Sequence, residues 1–188
     1  MERVLRFLIR CSKPKYPTSH RVSAVIFGSL MELVVVPMAL LFIGQAIDHA
    51  LAFPLLFKPA VAKELSAICF GMGIPWLAWS IYWQHAKGGG TPFPLVPTHV
   101  LLTDGPYRYC RNPMAFGALC WLGGWACLAN GPTSLIGGLG FFATVVLSWD
   151  RWVEEKELGL KHGAAYVNYR HRTPFLIPLL RRRSKKAA

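Results

Sequence analysis

Charge is missing from long stretches of this 188-residue sequence, although the chain as a whole carries a net charge of +12. Hydrophobic residues make up 53% of it, which is an unusual pairing with so strong a basic excess in one soluble domain. The five cysteines form no CxxC pair, and their number is odd. Neither a disulfide framework nor a zinc site is therefore indicated, and we expect no metal.

Four apolar runs remain once the charged stretches are set aside. They are residues 22–47, 65–83, 114–129 and 133–149. The first run contains one ionisable residue, Glu32, and as a helix would span about 39 Å, more than a bilayer core of roughly 30 Å. The turn signal Asn130-Gly131-Pro132 joins the last two runs and predicts a helical hairpin. We expect an all-α, polytopic integral membrane protein with about four transmembrane helices, or five.

Basic residues concentrate in the segments that would leave these helices on one side of the membrane. Segments 1–21, 84–113 and 151–188 hold 19 of the 21 Lys and Arg residues. An even number of spans places all three on the same side, which the positive-inside rule makes cytoplasmic. The basic clusters lie mainly at the chain ends and not on a folded face with stacking aromatics, so nucleic-acid binding is disfavoured. The basic tail instead predicts contact with anionic lipid headgroups.

A polar knot, GPYRYCRNPM at residues 105–114, precedes the third apolar run. Irregular backbone near membrane depth is expected only where it is buried in protein or lines a cavity. Asn112 before Pro113 is typical of a helix start, with the Asn side chain as the cap. The free N–H groups of a helix start, together with Arg108 and Arg111, would suit a carboxylate or phosphate. The same arginines could equally anchor the helix at the headgroup level.

An acidic and basic cluster, DRWVEEKE at residues 150–157, follows the fourth run. At the end of a membrane helix the macrodipole disfavours acids, so these carboxylates call for a partner. A hairpin of the third and fourth helices would bring Arg111 and Asn112 close to Arg151 and Glu154. The result would be a cup with anion-binding donors on one wall and carboxylates on the other. The alternative is a salt-bridged exit from the bilayer.

These parts, in their order, resemble a known family. The knot, the hairpin, Glu154-Glu155 and the stretch GAAYVNYRHRTPFLIP at 163–178 together resemble the isoprenylcysteine carboxyl methyltransferases and their phospholipid methyltransferase relatives. The resemblance covers roughly residues 85–178. It implies an S-adenosylmethionine-dependent methyltransferase with a lipophilic acceptor from the membrane. It also implies a cofactor-binding half at 85–188, after an N-terminal basic segment and two transmembrane helices at 1–84.

The resemblance also implies site residues. Those expected at the cofactor are His99, Val100, Leu101, Leu102, Tyr107, Arg111, Asn112, Pro113, Met114, Ala115 and Glu154. Arg151 would face the substrate, and Glu155 lies beside the cofactor as a catalytic candidate. If the acceptor is an amine, Glu155 or Glu32 would be the base. The family's Arg-His-Pro is here Arg-Asn-Pro, and Ala115 replaces an aromatic, so a role that requires an imidazole is not available.

Two other functions compete with methyl transfer. One is an NADPH-dependent membrane reductase of the sterol or steroid type, and the other is a non-catalytic membrane scaffold. The reductases tend to carry Asn-Pro followed by Asn-Tyr and a nearby acid, whereas here Asn112-Pro113 precedes Met-Ala-Phe-Gly. The sequence leaves open the identity of the methyl acceptor, the choice among O-, N- and S-methylation, and the oligomeric state.

Overall fold

The computed structural model describes residues 23, 26–28, 30–88 and 100–179. Its main helices are α1 (Ile26–Ala50), α2 (Pro59–Gly88), α3 (Pro113–Ala129), α4 (Thr133–His162) and α5 (Ala164–Arg172), with a 3₁₀ turn at Gly105–Arg108. All regular secondary structure in these ranges is helical, as the sequence predicted. The predicted roles of His99 and of the side chain of Glu32 lie outside the described residues.

Three of the helices are long and apolar enough to cross a membrane: α1, α2 and α4. The fourth apolar helix, α3, has 17 residues and is about 26 Å long. The four apolar runs therefore all form helices, and two of these, α2 and α4, extend well beyond the predicted bounds. Helix α4 is the clearest case, because it continues past Trp149 to His162.

Small residues bring α2 and α3 into close contact. A Cβ atom on Gly73 would lie 2.6 Å from the backbone nitrogen of Trp121, and one on Gly117 would lie 2.8 Å from that of Leu77. The Ser66 hydroxyl donates a hydrogen bond of 2.9 Å to the carbonyl of Gly124. Small residues and interhelical hydrogen bonds of this kind drive helix association in lipid. The two helices form the packed centre of the molecule. Most of the buried hydrophobic residues among the described ranges lie on α3.

A cluster of aromatic side chains packs the polar knot against α2. The ring of Tyr109 lies 6.0 Å from that of Trp76 and 5.9 Å from that of Trp79, measured between ring centroids. Phe116, one turn into α3, packs edge-on against Trp76 at 5.6 Å. The non-helical segment before α3 is thus held against a rigid helix, which fixes where α3 begins.

The opposite end of the molecule is closed by a latch of polar side chains, formed by Asp48 and Asn130. Asn130 ends α3 in the left-handed region, with φ of 54°. Its side chain accepts from the Phe57 amide at 3.0 Å and donates to the Phe57 carbonyl at 2.9 Å. Asp48 of α1 accepts hydrogen bonds from the backbone amide, at 3.1 Å, and the hydroxyl of Thr133. The predicted hairpin turn is present, and side chains tie it to α1 and to the α1–α2 loop.

Candidate functional site

A C-terminal strap, residues Thr173–Leu179, runs alongside the polar knot. The amide of Arg111 donates to the carbonyl of Pro174 at 2.9 Å, and the amide of Asn112 donates to that of Phe175 at 3.2 Å. At the other end of the strap, the amide of Leu179 donates to the Tyr109 carbonyl at 3.1 Å. The amides of residues 111 and 112 are therefore occupied by protein carbonyls and are not open to an anion.

Asn112 precedes α3 but does not cap it as the sequence suggested. Its side chain makes no capping hydrogen bond, and its ψ of 64° is far from the extended value typical of a capping residue. The amide nitrogen Nδ2 is buried and has no hydrogen-bond partner. Pro113 occupies the first helical position, as predicted. The Asn112 side chain is therefore a donor left available at the start of the helix.

Glu155 is the centre of an ion cluster at the knot. Its carboxylate is paired with the guanidinium of Arg111, and its Oε2 lies 3.1 Å from Nη1 of Arg151 and 3.9 Å from Nε of Arg170. The side chains of Arg111 and Glu155 are 8% and 6% exposed, whereas those of Arg151 and Arg170 are about half exposed. One buried carboxylate thus holds the start of α3, the last third of α4 and the end of α5 together.

The expectation that Glu154 lies at the end of a membrane helix is wrong. Helix α4 passes through a π-helical turn at Asp150–Glu154 and continues as Glu155–His162, so Glu154 lies inside the helix and is exposed. The macrodipole argument does not apply there, since the charged residues after Trp149 are helical and do not end the helix. The hairpin does bring Arg111 to α4, but the carboxylate it meets is Glu155.

Phe175 of the strap lies against two of the three arginines. The guanidinium carbons of Arg111 and Arg151 are each 5.5 Å from the centroid of its ring. The same ring forms one wall of an open groove of about 450 Å³ on the face of α4. The groove is lined by Thr144, Leu147, Ser148, Arg151, Trp152 and Phe175. Arg151 is the charged residue of this lining, and it lies where the groove meets the ion cluster.

The remaining predicted site residues are more dispersed. Val100 is exposed, Leu101 and Leu102 are half-buried, and no hydrogen bond or ion pair among the described residues joins them to the cluster. The main-chain carbonyl of Tyr107 accepts a hydrogen bond of 2.6 Å from the hydroxyl of Tyr169. In the first turn of α3, Pro113 and Ala115 are buried and Met114 is half-buried.

Burial keeps three weakly acidic groups at or beside the knot neutral: the Tyr107 hydroxyl, the Cys110 thiol and the Tyr169 hydroxyl. Burial raises the pKa of the Cys110 thiol to about 12. Burial also raises the pKa of the Tyr107 hydroxyl, with the nearby charge of Glu154 adding to the effect, and burial raises that of Tyr169. At neutral pH these three groups therefore act as hydrogen-bonding groups and not as thiolate or phenolate nucleophiles.

Three residues of the site were not assigned individually from the sequence: Tyr169, Arg170 and Phe175. All three lie in the stretch at 163–178 that carries part of the family resemblance. The available signal was the density of basic and aromatic residues just before Pro174. The path of the strap back to the knot could not be predicted from the sequence. Main-chain hydrogen bonds hold the strap there, and such bonds do not depend on which side chains the residues carry.

Comparison with known proteins shows that part of this site lies within a matched region. A family model described as phospholipid methyltransferase matches residues 61–161, which include Arg111, Arg151 and Glu155. Two similar relatives, each named protein-S-isoprenylcysteine O-methyltransferase, come from Mus musculus and Rattus norvegicus. Each is 33% identical over 86 residues, which cover 45% of this chain and 29% of the relative. The matched stretch thus spans less than a third of the length of these curated relatives.

Proposed function

The chain belongs to the phospholipid methyltransferase family, and from this premise we propose that it transfers a methyl group from S-adenosylmethionine to a lipophilic acceptor in the membrane. The observation that carries the proposal is a pair of unpartnered buried donors at the start of α3, within the matched region. They are Nε of Arg111 and Nδ2 of Asn112. Buried donors without partners are costly, and a ligand that accepts hydrogen bonds there would satisfy them.

The residues around these donors suit the cofactor's chemistry. S-adenosylmethionine carries a carboxylate and an adenine ring with acceptor nitrogens, and it supplies a methyl group activated by a sulfonium. Arg111 and Asn112 would donate to its acceptor groups, and the first turn of α3 from Pro113 to Ala115 would line it. We propose that the exposed carboxylate of Glu154 attracts the positively charged part of S-adenosylmethionine. Glu155 cannot take this role, because its carboxylate is paired with Arg111.

The ion cluster bears on which acceptor is methylated. In the reaction the bond between sulfur and methyl breaks as a bond from acceptor to methyl forms, and an amine acceptor must also lose a proton. Glu155 is a poor proton acceptor for that purpose, because protonation would weaken its pairs with Arg111, Arg151 and Arg170. An acceptor that is already anionic needs no base. The arrangement therefore favours O-methylation of a carboxylate, with Arg151 as the residue that would orient it.

The groove on α4 supports a lipophilic acceptor. Its walls are largely apolar, it is open along a membrane-spanning helix, and its charged residue is Arg151. The relatives from mouse and rat are named for O-methylation of an S-isoprenylcysteine, a residue with an apolar chain on its sulfur. An acceptor of that chemical class would place its chain in the groove and its carboxylate at Arg151. Alignment of donor and acceptor and exclusion of water would then account for most of the catalysis.

We further propose that α3 is a fourth span and that both chain ends are cytoplasmic. The basis is the concentration of Lys and Arg in the segments that precede α1, join α2 to α3 and follow α4. Basic tail residues from 181 onward would then lie at the anionic inner surface of the membrane. A reporter fused after residue 188 should be active in the cytoplasm, and activity on the opposite side would refute this orientation.

One pair of measurements tests the proposed function. Purified protein in detergent should bind S-adenosylmethionine in a calorimetric titration and should not bind NADPH. With the cofactor present, it should methylate N-acetyl-S-farnesylcysteine in preference to phosphatidylethanolamine. Binding of NADPH alone would support the reductase, and binding of neither cofactor would support a scaffold. Preferential methylation of phosphatidylethanolamine would retain the methyltransferase and reject the carboxylate acceptor.

A further inference from the structure

The aromatic ring of Phe175 contacts the guanidinium groups of two arginines. Its ring centroid is 5.5 Å from the guanidinium carbon of Arg111 and 5.5 Å from that of Arg151. Both guanidiniums also pair with the carboxylate of Glu155. One negative charge cannot neutralise two positive charges, so the two arginines still repel each other. The electron-rich face of an aromatic ring attracts cations and stabilises such an arrangement.

The backbone of the strap fixes the position of this ring. Hydrogen bonds from the amides of Arg111 and Asn112 hold Pro174 and Phe175, and a third from Leu179 to Tyr109 holds the far end. Thr173, at the start of the strap, is buried. The ring is therefore fixed from both sides by main-chain bonds, and a change of side chain at residue 175 leaves those bonds in place.

The two arginines differ in how much they depend on the ring. Arg111 is buried and paired with the buried carboxylate of Glu155, so it keeps its place without an aromatic neighbour. Arg151 is 46% exposed and is joined to Glu155 by an i,i+4 pair, a type of contact that contributes little alone. Loss of the ring should therefore release Arg151 and leave Arg111 where it is.

We infer that Phe175 is a positioning residue that fixes the guanidinium of Arg151 at the end of the α4 groove. Its significance for catalysis rests on the proposed function, in which Arg151 orients the acceptor. The family match ends at residue 161, before the strap, and so does not include this residue. The strap thereby determines which direction the charged residue of the groove faces.

The position of Arg151 can be tested without any enzymatic activity. Phenylglyoxal modifies free guanidinium groups, and mass spectrometry of the purified protein in detergent gives the rate at each arginine. We expect Phe175→Leu to raise the rate at Arg151 about three- to fivefold, the factor that corresponds to a cation–π contact of a partly exposed pair. Phe175→Tyr should restore the wild-type rate, because the ring is kept.

Two controls make this result decisive. Phe141→Leu makes the same substitution on α4 at an exposed side chain and should leave Arg151 unchanged. The rate at Arg108, which is exposed in the wild type, should be the same in every variant. An unchanged rate at Arg151 in Phe175→Leu, a failure of Phe175→Tyr to restore it, or a parallel rise at Arg108 would each overturn the inference.

Kinetics then test the role in acceptor binding. With N-acetyl-S-farnesylcysteine as the probe, Phe175→Leu should raise KM by a similar factor, about three- to fivefold, and leave S-adenosylmethionine affinity within about twofold. An unchanged KM would reject that role. If wild-type protein binds no S-adenosylmethionine, the proposed function fails, whereas the labelling experiment still decides whether Phe175 positions Arg151.

Discussion

The guanidinium of Arg111, just before α3, is paired with the carboxylate of Glu155, 44 residues later on α4. Both side chains are less than a tenth exposed, so the pair lies largely out of water. It joins the two helices of the hairpin at the end opposite to Asn130. The hairpin is thus held at both ends, by the turn at one and by a buried ion pair at the other.

Neutralising Glu155 should destabilise the protein. Glu155→Gln leaves Arg111 buried without a counter-charge, and breaking a buried pair in this way typically costs about 3–5 kcal/mol. The adjacent Glu154→Gln is the matched control, because Glu154 is exposed on the same helix. Thermal unfolding in detergent should show a large drop in Tm for the first variant and almost none for the second. Equal values of Tm would mean that the cluster does not contribute to folding.

Arg111 should matter for the cofactor beyond its role in stability. Arg111→Lys keeps the positive charge but removes the planar donors, including the unpartnered Nε. We expect S-adenosylmethionine affinity to fall by about 1.5–3 kcal/mol, the range for one hydrogen bond to a charged group. Arg108→Lys, at an exposed position in the same knot, and Arg182→Lys, in the basic tail, should leave the affinity unchanged in calorimetry. A comparable loss in either control would show that general charge accounts for the effect.

The buried Cys110 thiol should make the protein sensitive to alkali. Its pKa is raised from 9.0 to about 12 in the folded chain, so the unfolded chain releases this proton first as pH increases. This thiol therefore has no effect on the free energy of unfolding below about pH 9. Above that pH it lowers the free energy of unfolding by up to about 1.4 kcal/mol per pH unit, until the pKa of the folded state is reached.

The variant Cys110→Ala isolates that contribution. We expect its Tm to fall less steeply than that of the wild type between about pH 8 and about pH 10.5. The residual slope should come from tyrosines such as Tyr107 and Tyr169, whose pKa values are also raised by burial of their hydroxyls. Parallel slopes for variant and wild type would contradict the burial of this thiol.

Two substitutions separate the contributions of Asn130 to the latch. Asn130→Gly keeps the left-handed backbone and loses the two side-chain hydrogen bonds to Phe57, at about 1 kcal/mol each. Asn130→Ala loses the same bonds but, unlike the Gly variant, retains a Cβ at φ of 54°, which should make it roughly 1 kcal/mol less stable than Asn130→Gly. Tm should therefore decrease in the order wild type, Gly, Ala. Equal values for the two variants would show that backbone conformation is not a factor.

The contact between α2 and α3 can be tested with two glycines on the same helix. Gly73→Ala would place a methyl group 2.6 Å from the backbone nitrogen of Trp121, which must move. Such overpacking usually costs about 1–3 kcal/mol. Gly71→Ala is the control, because nothing lies within 4 Å of its Cβ position, and it should be neutral or slightly stabilising. Similar Tm values for the two variants would argue against the close approach of these helices.

The helices and the hairpin turn could be predicted because each follows from a local property. Runs without charge predict membrane helices, and Asn130-Gly131-Pro132 predicts the turn between them. The end of α4 could not be predicted in this way. Its charged continuation from 150 to 162 stays helical, through a π-helical turn and then α-helix, and hydropathy alone cannot distinguish such a charged segment from a loop.

The partner of Arg111 was missed for a related reason. Glu154 and Glu155 are adjacent, and neighbouring residues on a helix point about 100° apart, so the choice between them depends on the rotation of α4. A π-helical turn at Asp150–Glu154 shifts that rotation and has no clear sequence signal. The resemblance named both residues without deciding which one faces the knot.

In the proposed topology, where α3 is a fourth span, the shortness of this helix sets the depth of the ion cluster. At about 26 Å, the helix is shorter than a bilayer core of roughly 30 Å, so Arg111 at one end and Asn130 at the other cannot both reach the headgroups of an undeformed membrane. A lipid-dissolved acceptor of the kind proposed would then meet the site by lateral diffusion within the leaflet. Its effective concentration is a mole fraction in two dimensions, so diluting the vesicles at constant composition should leave the rate per enzyme unchanged.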